Sequence, residues 1–301
     1  MDDVPALVAW AAAVDEAEDL DFAGGPEFWR WWLQQHDLDA DTLAAVAAGG
    51  EIVGAAGSWG QITDRGARAI LWLDAHPEHL GLEPVLLGWA ERRGAVQVAA
   101  GEHPQRILRI SVEEHRHRRR ALLEAHGFEA VRTFVEMERS LAESEPVPPG
   151  PAGIEVVTWS AGLDEATRIA SNAAFAGHWG SLPMDAATFS SMVADEDVIR
   201  RELSFLAMAG GEVIGLCLVS VDLEEDPDRL WIDRVGTIPS WQRRGLARTL
   251  LARSLWAGAA AGLSRAGLTV DETSHYDATA LYAGLGFEVT KRSVTYAKEP
   301  S

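Results

Sequence analysis

The hydrophobic and polar positions of this chain run through the same succession twice. Each round opens on a Gly-Glu turn that feeds an apolar run: Gly50-Glu51-Ile52-Val53-Gly54, then Gly211-Glu212-Val213-Ile214-Gly215. A tight turn followed by such a run predicts a β-hairpin. A β-rich stretch follows (residues 69–73 and 230–238), then a proline (Pro77, Pro239) and a glycine (Gly81, Gly245). Beyond each glycine a Leu-Leu pair, Leu86-Leu87 or Leu250-Leu251, lies in a helical pattern. In the second round Leu246, Leu250, Leu251, Ser254 and Leu255 fall on one helix face. Each round closes with a helix running into Gly-Phe and a final strand (residues 121–128 and 280–287). Landmarks repeated in one order predict a tandem duplication of one α/β unit.

Between the rounds, residues 141–153 read LAESEPVPPGPAG, with four prolines and two glycines that continue neither a helix nor a central strand. The predicted organisation is a first unit over 1–143, a linker over 144–153 and a second unit over 154–301. Each unit has ordinary domain size and is expected to be an α/β fold, a twisted mixed sheet flanked by helices.

Composition narrows the function. The chain holds 26 Lys+Arg against 46 Asp+Glu, a net charge of −20, which repels phosphate backbones and argues against nucleic-acid partners. The basic run His115-Arg116-His117-Arg118-Arg119-Arg120 lies between glutamates and lacks interleaved aromatics, so it is read as a charged surface. A single cysteine, Cys217, excludes an intramolecular disulfide framework and a cysteine-rich zinc site. His76 and His79 have no third ligand in the sequence pattern, so no metal is expected. The chain shows neither a charge-free apolar run of about 18 residues nor a basic segment leading into one. Those features predict a soluble cytoplasmic protein without a membrane partner, monomeric or homodimeric.

Residues 230–256 carry the most specific chemical signal: LWIDRVGTIPSWQRRGLARTLLARSLW. A strand, a short glycine-containing loop and a helix start gather unsatisfied backbone N–H groups around one point. Gly245 and Ala247 keep that point uncrowded, and Arg243, Arg244 and Arg248 bring positive charge into an acidic chain. Such an arrangement suits a diphosphate, although a solvated helix start with incidental arginines reads the same way in isolation.

Gln242–Ala247 in the loop, Leu268-Thr269-Val270-Asp271 and Leu281-Tyr282-Ala283-Gly284-Leu285-Gly286-Phe287 together resemble the GNAT superfamily of N-acetyltransferases. The resemblance covers most of residues 154–297, with weaker echoes over 1–140, and the two-unit plan is similar to mycothiol-synthase-like members. It implies an acetyl-CoA-dependent N-acetyltransferase acting on a primary amine of a small molecule or peptide, with the second unit catalytic. The alternative is a non-catalytic acyl-CoA-binding or regulatory module on the same fold. By resemblance, Val235, Gly236 and Thr237 line the pantetheine and acetyl carbonyl, and Gln242, Arg243, Arg244, Gly245, Leu246, Ala247 and Arg248 hold the diphosphate. Tyr282 takes the place of the tyrosine that donates to the CoA sulfur, or else it packs its helix on the sheet. The family commonly shows an asparagine near Asp271; here Ser274 or His275 stands in its place. Trp231 occupies a position where mycothiol-type members are expected to make a polar substrate contact.

Acetyl transfer to an amine needs a proton acceptor, because an alkylammonium with a pKa near ~10 is not nucleophilic at neutral pH. Asp233 is the candidate base: strict alternation places it on one face with Trp231, Val235 and Thr237. A strand-end ion pair with Arg234 or Arg229 accounts for it equally well, and Asp222 and Glu224 are reserves. His178 and Trp179, in a polar and aromatic segment broken by Gly177 and Gly180, are candidates for the acceptor pocket. The first unit's loop, residues 76–84, has no arginine or glutamine, and it carries Glu83 and Pro84 where the second has Ala247 and Arg248. A carboxylate repels a diphosphate and proline removes a donor, so this half is expected to have lost acetyl-CoA binding. Phe28, Trp29, Trp31 and Trp32 near its start are read as packing residues.

Overall fold

The computed structural model describes residues 4–20, 25–26, 29–30, 33, 38–63, 66–99, 106–141, 147, 150–194, 199–222, 226–274 and 278–300. Glu224, His275, Phe28, Trp31 and Trp32 lie outside the described residues, as does most of the segment 142–149. The chain forms two compact units, Met1–Thr133 with Ser293–Ser301, and Phe134–Arg292.

The first unit opens with helix α1 (Val4–Glu18) and continues with β1 (Thr42–Val46), β2 (Ile52–Thr63) and β3 (Gly66–Ala75). Helix α2 (Glu83–Val98) then crosses over to β4 (Arg106–Glu113), and α3 (His117–Ala125) leads into β5 (Glu129–Ser140). Strands β1, β2 and β3 run antiparallel, whereas β3 and β4 are parallel, as a helical crossover requires. Leu86 and Leu87 of α2 are fully buried against Leu71, Leu73 and Leu108. Trp29 is also buried, with its ring 6.3 Å from that of Trp10.

The second unit repeats the plan. Strand β6 (Glu155–Thr158) precedes α4 (Asp164–Phe175) and α5 (Ala186–Met192); β7 (Phe205–Ala209), β8 (Glu212–Ser220) and β9 (Arg229–Thr237) follow. Helix α6 (Leu246–Ala260) crosses to β10 (Arg265–Asp271), and α7 (Ala278–Ala283) leads to β11 (Glu288–Lys298). The β7–β8 turn sits on Gly210 and Gly211, at φ 59° and 86°, left-handed values open to glycine. Leu246, Leu250, Leu251 and Leu255 of α6 are buried with Ile214, Leu230, Ile232 and Leu268, while Ser254 is buried on the same helix. The helical face read from spacing is the buried one.

The compact units do not follow the linear cut at 144–153. Residues 134–140 of β5 pair antiparallel with β10 across its whole length, from Phe134↔Asp271 to Ser140↔Arg265. Leu141 is buried in the second unit's core, and its N–H donates to the Ser264 carbonyl at 2.8 Å. Conversely, Ser293 to Lys298 of β11 pair with β4. The last strand of each repeat thus completes the sheet of the other unit. Period-2 patterning fixes which side of a strand is apolar but not which edge it joins, so this exchange is invisible in sequence.

Candidate active site

The site is built on β9, its neighbour β10, and the helix that joins them. The parallel strands share three ladder positions, Arg265↔Arg229, Ala266↔Leu230 and Gly267↔Trp231, and then part. Trp231 closes the floor of this fork: its ring lies over Gly267, where a Cβ would approach within 2.8 Å. Arg229 stacks over the same ring at 4.7 Å, so Trp231 is held as a packing residue. A pair of parallel strands that separates at its carboxyl end is where open α/β sheets admit ligands.

Immediately past the fork, β9 carries a bulge. Strand β8 keeps strict alternation, but its partners skip a residue: Leu218 faces Arg234 and Val219 faces Ile232, leaving Asp233 as the extra residue. This inserted residue reverses the faces of everything after it. Leu230 and Ile232 before the bulge, and Val235 after it, all meet the core under α6. Trp231, by contrast, shares the face of Arg234 and Gly236. The common face expected for Trp231, Asp233, Val235 and Thr237 is therefore corrected: Trp231 and Val235 lie on opposite sides.

The Asp233 side chain stays accessible to water while protein atoms crowd round it. That crowding strips hydration from the ionised form and pushes its pKa up to about 6, against the opposing pull of the Ser220 hydroxyl and Arg234. Asp233 and Arg234 attract one another, but no salt bridge joins them among the described residues. The Cys217 thiol, opposite Val235 and fully buried, is raised to about 12 by burial and, more weakly, by Asp233. Tyr282 is 7% exposed, edge-on to Phe287 at 6.0 Å, and raised above the usual tyrosine range by burial and then by Cys217. A phenol so held stays protonated at neutral pH.

The loop after β9 turns through Pro239–Trp241 into two left-handed residues, Arg243 (φ 61°) and Gly245 (φ 82°), before α6. Gly245 is the N-cap and has no side-chain capping bond. Its carbonyl takes the Thr249 N–H at 3.0 Å, so the N–H groups of Leu246, Ala247 and Arg248 are the open donors of the first turn. A left-handed non-glycine residue costs about 1–2 kcal/mol, and Arg243 carries that cost beside the open donors of α6. The polar side chains brace the loop itself. Gln242 Nε2 donates to the Thr237 carbonyl (3.2 Å), Arg244 lies over Trp241 (4.6 Å) and donates to Ser240 O (3.3 Å), and Arg248 donates to Gly284 O (3.1 Å). Arg243, Arg244 and Arg248 are exposed, Leu246 is buried in the core, and Ala247 is half-buried. Ser274, half-buried after β10, donates its N–H to Asp271 O at 3.2 Å.

On the opposite face of β9, Gly236 lets α4 approach: a Cβ there would lie 3.0 Å from both Ala174 and Phe175. Arg234 stacks on the Phe175 ring at 4.3 Å and donates from Nε to Ser171 Oγ at 3.0 Å. His178, in the turn after α4, has its ring 4.8 Å from that of Phe175. Burial, then Arg234, lower its pKa, so it is a neutral imidazole at neutral pH. Trp179 is half-buried in the same turn. Of the two acceptor candidates, His178 is thus placed beside β9. Sequence reading missed Ser171 and Phe175 and weighed Arg234 only as a partner for Asp233.

Residues 167–287 match the Acetyltransferase (GNAT) family. Mycothiol acetyltransferase of Streptomyces coelicolor is 30% identical over 269 residues, covering 85% of this chain and 79% of that protein. The chain belongs to the acetyltransferase (GNAT) family. The chemistry of that family is N-acetyl transfer from acetyl-CoA to an amine. A 32% identical match to mycothiol acetyltransferase of Streptomyces bingchenggensis covers 60% of this chain, which there spans only 59% of the relative's length. A solved GCN5-related N-acetyltransferase from Sphaerobacter thermophilus superposes with a TM-score of 0.80 at 27% identity, over 99% of this chain and 92% of that one. The likeness to that solved GCN5-related N-acetyltransferase thus runs over almost the whole of both chains. Among the described residues, no helix is long and apolar enough to cross a membrane.

At the corresponding helix start of the first unit a carboxylate is enclosed among arginines. Glu83, the first residue of α2, is 3% exposed, and Arg119 Nη2 and Nε donate to its carboxylate at 2.6 and 2.8 Å. Arg118 adds a contact at 2.8 Å. Arg119 also reaches Leu73 O and Asp74, and Arg116 binds Asp74 and Glu18. The basic run read as a charged surface is thus partly an internal ion-pair network, with Arg116 and Arg119 buried. Its i, i+3 spacing sends one face of α3 inward.

Proposed function

We propose that the second unit binds acetyl-CoA in the β9–β10 fork and transfers its acetyl group to a primary amine of a small molecule or peptide. The observation that carries this reading is the coincidence of three features on one strand end: the fork after Trp231, the bulge at Asp233, and the open helix start at Gly245. The donors of the first α6 turn meet the diphosphate, with Arg243, Arg244 and Arg248 around it. Val235, Gly236 and Thr237 offer backbone groups to the thioester arm, and an N–H there faces the carbonyl oxygen as negative charge develops.

Asp233 accepts the ammonium proton, directly or through water. The freed nitrogen forms the C–N bond as the C–S bond breaks, and Tyr282 donates to the departing sulfur. A base with a pKa of about 6 is charged at neutral pH and still basic enough to share a proton in the transition state. His178 and Trp179 border the acceptor side. The names of the relatives place a mycothiol-related amine among the acceptors to be tried.

Calorimetric titration with acetyl-CoA, followed by a free-thiol assay over an amine panel, tests the proposal. Expected are saturable heat and thiol release that depends on the amine. No heat and no thermal shift would refute acetyl-CoA binding; binding without acceptor-dependent release would make the protein a sensor. Tyr282→Phe is expected to slow turnover about 10- to 100-fold with acetyl-CoA affinity retained.

A further inference from the structure

Arg234 has more binding capacity than the fold uses. Its Nε is committed to Ser171 Oγ, and one face of the guanidinium lies on Phe175. Among the described residues no carboxylate pairs with it. Arg116 and Arg119, the buried arginines of the first unit, show the alternative: each binds at least two carboxylates. Enclosing a guanidinium without an acid costs desolvation energy that packing does not return. Burial accordingly pulls Arg234 below the usual arginine range even with Asp233 next to it in the chain.

The place of this side chain matters as much as its pairing. Arg234 directly follows the bulge and precedes Val235–Thr237, the strand edge assigned to the thioester, at about 3.3 Å of rise per residue. It points to the α4 face together with Gly236, away from the core that holds Tyr282. Because Nε is engaged, the edge left for a ligand is the end-on pair Nη1 and Nη2, the planar fork that matches a carboxylate bidentately. Asp233 alongside disfavours a phosphate dianion more than a single negative charge. His178, kept neutral, adds no competing cation.

We infer that Arg234 is the acceptor-recognition residue and that the second unit acetylates amines bearing a carboxylate within a few bonds of the nitrogen. The inference rests on the acetyl-transfer reading above and deepens it to a substrate class. In a chain of net charge −20, an anionic acceptor is repelled at long range, so its capture depends on one local cation. The same cation lowers the pKa of a nearby ammonium and so favours proton loss to Asp233.

The test compares L-α-amino acids with their own carboxamides as acceptors in the free-thiol assay. Wild-type kcat/KM is expected to favour the acids by about 10- to 100-fold, the range of a charge-assisted hydrogen bond. Arg234→Met is expected to collapse the acid-to-amide ratio towards unity, and Arg234→Lys to restore part of it. Ser171→Ala, which loosens the guanidinium without removing it, is expected to lower the ratio only several-fold. Acetyl-CoA affinity of each variant reports that the fold is intact. Equal wild-type rates for acid and amide, or a ratio that Arg234→Met leaves unchanged, overturn the inference while acetyl transfer stands. A wild-type protein that fails to bind acetyl-CoA overturns the underlying reading instead, by a separate measurement.

Discussion

The two units present the same structural device, a strand, a turn on proline and a helix start, and use it in opposite ways. In the second unit α6 begins behind two left-handed residues, and its first donors are open. In the first, α2 begins with Glu83 and Pro84, and the Glu83 carboxylate is held by Arg118 and Arg119. A helix N-terminus favours negative charge whatever its source. Here Arg118 and Arg119 are already paired with the Glu83 carboxylate, so their charge is less available to a diphosphate than that of the exposed Arg243, Arg244 and Arg248. The fork survives in both units, since β3 and β4 also part after four ladder positions. The units thus differ at this point in loop chemistry and not in fold.

Three measurements sharpen or break this contrast. The largest effect is expected at Asp233, which has no counterpart in the first unit's ion-pair network. Asp233→Asn is expected to lower kcat/KM by about 10²- to 10⁴-fold. A base works ionised, and its raised pKa means that wild-type kcat/KM should fall as pH drops through about 6. An unshifted aspartate would hold its activity down to about pH 4. The variant should lose that limb, and an unchanged pH profile would remove Asp233 from the chemistry.

Next in size is the ion-pair network around Glu83. Arg119→Met leaves Glu83 buried with one arginine fewer, which should cost about 3–5 kcal/mol of stability in chemical denaturation. Pairing it with Glu83→Leu should recover most of that loss, because both charges then leave the interior together. A loss below about 1 kcal/mol would mean that the network is solvated and contributes little to the fold.

The smallest effect compares the two glycines. Neither Gly81 nor Gly245 has any neighbour within 4 Å of a would-be Cβ, but only Gly245 has a left-handed φ. Gly245→Ala should therefore weaken acetyl-CoA binding by about tenfold through backbone strain of about 1–2 kcal/mol, whereas Gly81→Ala should leave binding and stability within error. Equal effects would show that the left-handed conformation at Gly245 is not what the loop depends on.

The sequence, read alone, determined the repeat and its local elements. Leu250-Leu251 and Leu86-Leu87 mark buried helix faces because helical periodicity is a local property of the chain. The loop around Gly245 is legible for the same reason: its turn, small residues and arginines are contiguous. The expectation that the first loop does not bind acetyl-CoA rests on two residues, Glu83 and Pro84, whose charge and missing N–H are read before any fold is known.

Only the tertiary structure decided three things. The exchange of β5 and β11 rests on edge pairings between segments more than a hundred residues apart, and no periodicity encodes them. The bulge at Asp233 exists only as a mismatch between two strands, since β9 alone shows regular spacing and the extra residue appears when β8 is laid beside it. Arg234, Ser171 and Phe175 meet because that one-residue insertion turns Arg234 towards α4. The physical reason is common to all three: hydrogen-bond register and burial are set by partners distant in sequence, and each residue's side of the sheet follows from them.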